Sequence, residues 1–265
     1  DGMVAVFCAV GGVEPQSETV WRQADRYQVP RLAFVNKMDR TGADFDAVVR
    51  GIRKRLGARG VPLQLPLGSG DEFAGIVDLV LMKAIYYDAD SLGASYELRE
   101  IPASAAAAAE QAREELLGAL AEFSDELAEA YFAEGPIPVE TVITALRECT
   151  VNAKLVPILC GAAFRNKGIQ RLLDGIVDYL PSPLDMPPVE GELDGKGRRG
   201  ERRPSVDEPF SALAFKIASD TYSGKLAFFR VYSGRFEAGG QVLNATTGKK
   251  ERMGRLLQMH ANKRE

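Results

Sequence analysis

Three uninterrupted apolar runs organise the chain. Residues 3–10 (MVAVFCAV), 32–35 (LAFV) and the middle of 154–164 (KLVPILCGAAF) show no alternation with polar positions. That is the pattern of strands buried on both faces of a parallel sheet. Amphipathic segments lie between and after them. Residues 16–28 carry Val20, Ala24 and Tyr27 at helical spacing, and residues 44–56 carry Phe45, Val48, Val49, Ile52 and Leu56. Residues 168–180 carry Ile169, Leu172, Leu173, Ile176, Val177 and Leu180 in the same way. Buried strands alternating with amphipathic helices predict a doubly wound parallel α/β sheet, in which ligands sit at the carboxyl ends of the strands.

An insertion over residues 66–153 interrupts this alternation, so the sheet domain is predicted over 1–65 and again over 154–180. The insertion opens with a strand-like run at 75–87. It continues as an alanine- and glutamate-rich helix from 104 to about 133, with Leu116, Leu120, Phe123, Leu127 and Tyr131 as its buried stripe. Between Glu110 and Glu134 that helix has eight acidic residues against one basic residue, Arg113. Such a bias gives a solvated face or a dock for a basic partner. Residues 181–209 hold six prolines, several glycines and no apolar period, which reads as a linker. Its RRGERR cluster, Arg198 to Arg203, reads as solvated linker first and as a contact for an RNA phosphate second. From residue 210 onward short strand-like runs separated by turns predict an antiparallel β-barrel, of which about 55 residues are present.

Composition narrows the function more than it names it. A chain of 265 residues with 46% apolar content buries a substantial core, and a net charge of -4 carries no whole-protein signal for nucleic acid or membrane. Cys8, Cys149 and Cys160 have no C-x-x-C spacing, and His260 is the single histidine. A disulfide framework, a zinc site and a histidine-based triad are therefore excluded, and the thiols fit a reducing cytoplasm. There is no run of about 18 apolar residues, so no membrane span is predicted. Asp1-Gly2 is a turn pair set directly before a strand. The expectation is a piece of a longer chain whose upstream part lies elsewhere.

The candidate chemistry sits at two strand ends. The run at 32–35 stops at Asn36-Lys37-Met38-Asp39. A carboxylate at a rigid strand end accepts two parallel hydrogen bonds from a planar donor fork, and guanine offers one through N1–H and its 2-amino group. Adenine has an acceptor at N1 and would leave Asp39 unpaired. Asn36 serves either the base edge or the joining of loops, Lys37 lays its stem across the ring, and Met38 is the inward spacer. The later strand ends at Cys160-Gly161-Ala162-Ala163, small residues that bring backbone amides close to a ligand, with the Ala162 amide as a donor for guanine O6. Guanine-binding candidates are thus Asn36, Lys37, Met38, Asp39, Cys160, Gly161 and Ala162. Neither a G-x-x-x-x-G-K-[ST] phosphate loop nor an Asp-x-Pro-Gly-His segment occurs. These residues carry base recognition without the hydrolytic half of a nucleotide site.

Long blocks resemble bacterial translation elongation factor G. They are residues 1–45, CGAAFRNKGIQRLLDGIVDYLPSP, LAFKIASDTYSGKLAFFRVYSG and GRLLQMHANKRE. The resemblance implies a P-loop-type GTPase domain with an inserted α+β subdomain, followed by a truncated barrel. It also implies GTP-driven translocation of tRNA and mRNA, with a part in ribosome recycling. GTP or GDP is then the ligand, with Mg2+ held by residues outside this chain. The partners are ribosomal RNA, the ribosomal stalk protein and, through the ribosome, the tRNA–mRNA complex; the protein is a cytoplasmic monomer. On the resemblance, Asn36, Lys37 and Asp39 match the guanine motif, and Gly161 and Ala162 the second base loop, with Cys160 before it. The rival readings are a non-catalytic ribosome- or stalk-binding module, and a release-factor or ribosomal-protection GTPase on the same scaffold.

Overall fold

A computed structural model describes residues 1–88, 91, 93–133, 135–192, 197–220, 224–260 and 263–264. The last part of the GRLLQMHANKRE block falls partly outside the described residues. The chain forms two compact units, Asp1–Ser182 and Pro183–Glu265.

In chain order the first unit runs β1 (Met3–Cys8), α1 (Pro15–Arg26), β2 (Arg31–Asn36), α2 (Phe45–Arg55), β3 (Gly60–Pro62), β4 (Gln64–Leu67) and β5 (Gly75–Asp78). It continues with β6 (Lys83–Tyr87), β7 (Tyr96–Arg99), α3 (Ala103–Ala121), α4 (Asp125–Phe132), α5 (Val139–Val151), β8 (Val156–Cys160) and α6 (Ile169–Tyr179). The main sheet is parallel in the order β1-β2-β8-β3, and β4-β5-β6-β7 form a second, antiparallel sheet. β2 and β8 are adjacent, so the two candidate strand ends lie side by side.

Alternation along β2 explains its apolar run. Leu32 and Phe34 enter one core with Leu79, Leu116, Leu120, Leu127, Leu146 and Leu159. Ala33 and Val35 enter the other with Phe7, Trp21, Val48, Ile52 and Ile158. The inserted helices therefore cover one face of the main sheet. Each fully buried leucine contributes about 1.5–3 kcal/mol, so the insertion is part of the fold's stability. α2 forms as its sequence predicts. Asp44 caps it by accepting from the Ala47 amide at 2.8 Å, and Phe45, Val48, Val49 and Ile52 are buried.

Several expectations are corrected. β1 ends at Cys8 and is an edge strand with Val6 57% exposed, because among the described residues no strand pairs along its outer side. α1 buries Trp21 and Ala24 and leaves Val20 and Tyr27 exposed. Arg31 decides this face, since its guanidinium lies 4.7 Å from the Trp21 ring centroid and pairs with Asp25 at 2.8 Å. α6 likewise turns Leu173 and Val177 to solvent and buries Leu172 and Tyr179.

The single strand expected at 75–87 is a hairpin. The Asp78 carboxylate accepts from the amides of Val80 and Leu81, each at 2.9 Å, and closes the turn between β5 and β6. The single helix expected at 104–133 breaks before Ser124, which caps α4 by accepting from Leu127 N. Phe123 at the break is exposed, not part of the buried stripe, and Tyr131 is half-buried with its hydroxyl on Glu114 at 2.9 Å.

The second unit begins with β9 (Val189–Glu192) and β10 (Arg199–Arg202), an exposed antiparallel pair within the expected linker. β10 contains most of the RRGERR cluster. Then come β11 (Ser211–Asp220) paired with β12 (Gly224–Ser233), and β13 (Gln241–Asn244) paired with β14 (Lys249–Arg252). These are antiparallel hairpins of the kind a β-barrel domain uses; among the described residues no closed barrel is formed.

Candidate functional site

β2 and β8 run parallel, with Val35 opposite Cys160. Their carboxyl ends are joined through Asn36. The Asn36 Oδ1 accepts from its neighbour Lys37 N at 2.8 Å and from Ala163 N across the strands at 3.0 Å. Of its two expected roles, tying the loops together is the one it performs here. Gly161 N donates to Val35 O at 3.0 Å and Met38 N to Gly161 O at 3.1 Å, which locks the second loop against the first.

Lys37 holds the left-handed backbone conformation at φ 66°. For a residue with a Cβ this costs on the order of 1–3 kcal/mol and persists where surrounding bonds fix it, commonly at functional sites. Met38 is 1% exposed, the inward spacer expected from the sequence, and its carbonyl accepts from Gly70 N at 2.8 Å. Asp39 remains at the surface side of this frame with its side chain 20% exposed, 3.1 Å from Arg165 Nε.

On the β8 side the residues divide. Cys160 is fully buried, its amide donates to Gln64 Oε1 at 3.0 Å, and burial pushes its thiol far up. It therefore supports the loop from behind and presents no side chain to a ligand. Ala162 is also buried, and its amide donates to Lys167 O at 2.9 Å. That engages the group expected to reach guanine O6, so the expectation of a free Ala162 donor is corrected. The sequence shows the small residues; the bridge to Lys167 depends on the turn that follows, where Asn166 and Gly168 both take positive φ.

Gly161 is required by packing. A Cβ there would stand 2.3 Å from Lys167 O and 2.9 Å from Phe34 Cζ. Gly161→Ala is expected to cost about 1–3 kcal/mol through displaced backbone, seen as a lower urea midpoint. An unchanged midpoint would show that the loop yields without cost.

Two site residues escaped the sequence reading. Phe164 is wholly exposed at the tip of the second loop. An aromatic ring held in water beside two converging strand ends offers a stacking face. Arg165, next in the chain, supplies the ion pair to Asp39. The signal available was their position in AAFRNKG, directly after the small residues.

The end of β1 borders the same frame, with Cys8 opposite Asn36. The Cys8 thiol is lowered first by the Gly11 amide. Burial opposes this, while Val10 N, Lys37 and Arg40 add to it. Among the described residues no three His, Cys, Asp or Glu groups stand together to hold a metal. Nor, among them, is any helix long and apolar enough to cross a membrane.

A parallel sheet covered on both faces, with two loops joined at adjacent strand ends, defines the α/β nucleotide-binding class. Comparison with known proteins gives the family. Residues 1–182 match the elongation factor Tu GTP binding domain, and residues 209–265 match elongation factor G domain 2. The chain belongs to this translational GTPase family. A crystal structure of a protein from Thermus thermophilus is similar to the whole chain, with 25% identity, a TM-score of 0.79 and 100% of this chain covered. The chain spans 36% of that protein's length.

Proposed function

We propose that these residues read the guanine base of GTP and GDP in a ribosome-dependent GTPase of the elongation factor G type. The observation that carries this reading is Asn36, whose Oδ1 joins Lys37 N and Ala163 N and so fixes Asp39 beside the second loop. In the bound state the Asp39 carboxylate accepts from guanine N1–H and the 2-amino group. The Lys37 stem and the Phe164 ring flank the base.

The phosphate-binding and water-positioning parts belong, on this reading, to residues outside this chain. The open β1 edge, with Val6 exposed, supports further sheet beside it. Partners follow from charge. Glu110, Glu114, Glu115, Asp125, Glu126 and Glu129 are all exposed on α3 and α4, and Glu122 between the helices pairs with Arg59. The lone basic residue, Arg113, is turned inward onto Leu79 O at 2.6 Å. This acidic face suits a basic protein surface, the role proposed for the ribosomal stalk, and the barrel strands of the second unit suit contact with the ribosomal body. The setting is cytoplasmic.

The test is GTP turnover by the full-length protein with and without ribosomes. Turnover strongly stimulated by ribosomes, with none from the 265-residue chain alone, is the expected outcome. Guanine binding without turnover under either condition would favour a binding module.

A further inference from the structure

We propose that Arg165 is a built-in placeholder for the guanine base, holding Asp39 until a nucleotide displaces it. The inference rests on the guanine reading of Asp39 and adds a competitor carried by the protein itself.

The chemistry is a likeness of donors. The N1–H, C2, N3 and 2-amino group of guanine form a guanidine unit, and the Arg165 side chain ends in a guanidinium with the same pair of adjacent N–H donors. Its Nε stands 3.1 Å from Asp39 Oδ2, where a base donor would stand. The backbone sets this position. Ala162 N donates to Lys167 O at 2.9 Å and Lys167 N to Ala162 O at 3.2 Å, closing a loop in which Arg165 N also donates to Ala162 O at 3.0 Å. Arg165 is thereby held at the outer end of the loop, facing the NKMD turn.

The neighbouring cation is already committed. Lys167 Nζ donates to Phe73 O at 2.8 Å and lies over the Phe73 ring. Its ammonium is weakened first by burial and then by Arg165, with Asp39 opposing. Arg165 is left as the partner for the acid. Its side chain is 52% exposed, so it can swing into water when a base arrives.

An ion pair that must open before the base enters lowers the association rate by the fraction of time it is closed, and leaves dissociation of the bound base unchanged. A half-exposed pair of this kind corresponds to about two- to fivefold.

The experiment is stopped-flow binding of GDP to the full-length protein at low salt, comparing wild type, Arg165→Gln, Asp39→Asn and the double variant. Arg165→Gln is expected to raise the association rate about two- to fivefold with an unchanged dissociation rate, and to have no effect in the Asp39→Asn background. An association rate that stays the same or falls overturns the placeholder, as does a changed dissociation rate, which would mean that Arg165 touches bound nucleotide. If Asp39→Asn alone leaves GDP affinity unaltered, the guanine reading fails first and the placeholder goes with it.

Discussion

Asp39→Asn in the full-length protein is expected to weaken GDP and GTP binding by roughly 10²–10⁴-fold and to move preference toward xanthosine nucleotides. The wild-type carboxylate accepts from two donors on one edge of guanine, and each charge-assisted bond contributes about 1.5–3 kcal/mol. An asparagine keeps one acceptor and turns an amide toward the 2-amino group, donor against donor. Xanthine has an oxygen there, which that amide satisfies. The substitution keeps the size of the side chain, and apart from its ion pair with Arg165 Asp39 takes no part in the hydrogen bonds that join the loops. Those run through Asn36, Met38 and Gly161. Selectivity should therefore change without loss of fold. Competition of GDP and XDP for the same site reads the effect directly, and an unaltered preference for GDP would remove Asp39 from base recognition.

Asp78→Ala is expected to give the largest loss of stability. Asp78 is 3% exposed and accepts four hydrogen bonds, from the amides of Val80 and Leu81 and from Arg171 Nε and Nη2 at 3.0 and 2.8 Å. Arg171 is itself only 18% exposed and is left with Asp174 as its acid partner in α6. Removing one member of a buried pair costs about 3–5 kcal/mol, because the other charge stays desolvated. For a domain of this size that lowers the melting temperature by roughly 2–4 °C per kcal/mol. Asp78→Asn, which preserves an acceptor for the two turn amides, should fall between wild type and Asp78→Ala. A melting temperature for Asp78→Ala within about 2 °C of wild type would show that the hairpin turn and α6 do not depend on this pair.

The parts of the fold legible in the sequence were those with one solution. A fully apolar stretch such as Leu32–Val35 fits a central strand, and the end of that stretch marks a ligand position whatever the rest of the chain does. α2 announced itself through Asp44 and a clean apolar stripe. The misread elements had two solutions. In α1 and α6 more than one face could be buried, and tertiary partners chose between them, as Arg31 did for Trp21. The break before α4 was signalled by Ser124 followed by Asp125 and Glu126, an N-cap with acids in the first turn, but the alanine- and glutamate-rich surroundings concealed it. α5 was passed over although Val142, Leu146 and Cys149 share a buried face.

At the site the same distinction holds. Asn36 and Asp39 are legible because a carboxylate and an amide at the tip of a buried strand match the donor edge of guanine. Arg165 and Phe164 are not, because an exposed arginine and an exposed phenylalanine have no distinguishing pattern until the loop's fold sets Arg165 beside Asp39 and Phe164 in the open next to it in the chain. The Ala162 amide was assigned to the wrong partner because backbone hydrogen bonds leave no trace in side-chain identity.

The central claim is that Asp39 reads the base, and a crystal structure of the full-length protein with GDP tests it most directly. The expected result is guanine N1 and N2 within about 3.2 Å of the Asp39 carboxylate, with Arg165 moved away from it. A base bound elsewhere, with the Asp39–Arg165 pair intact, would contradict it.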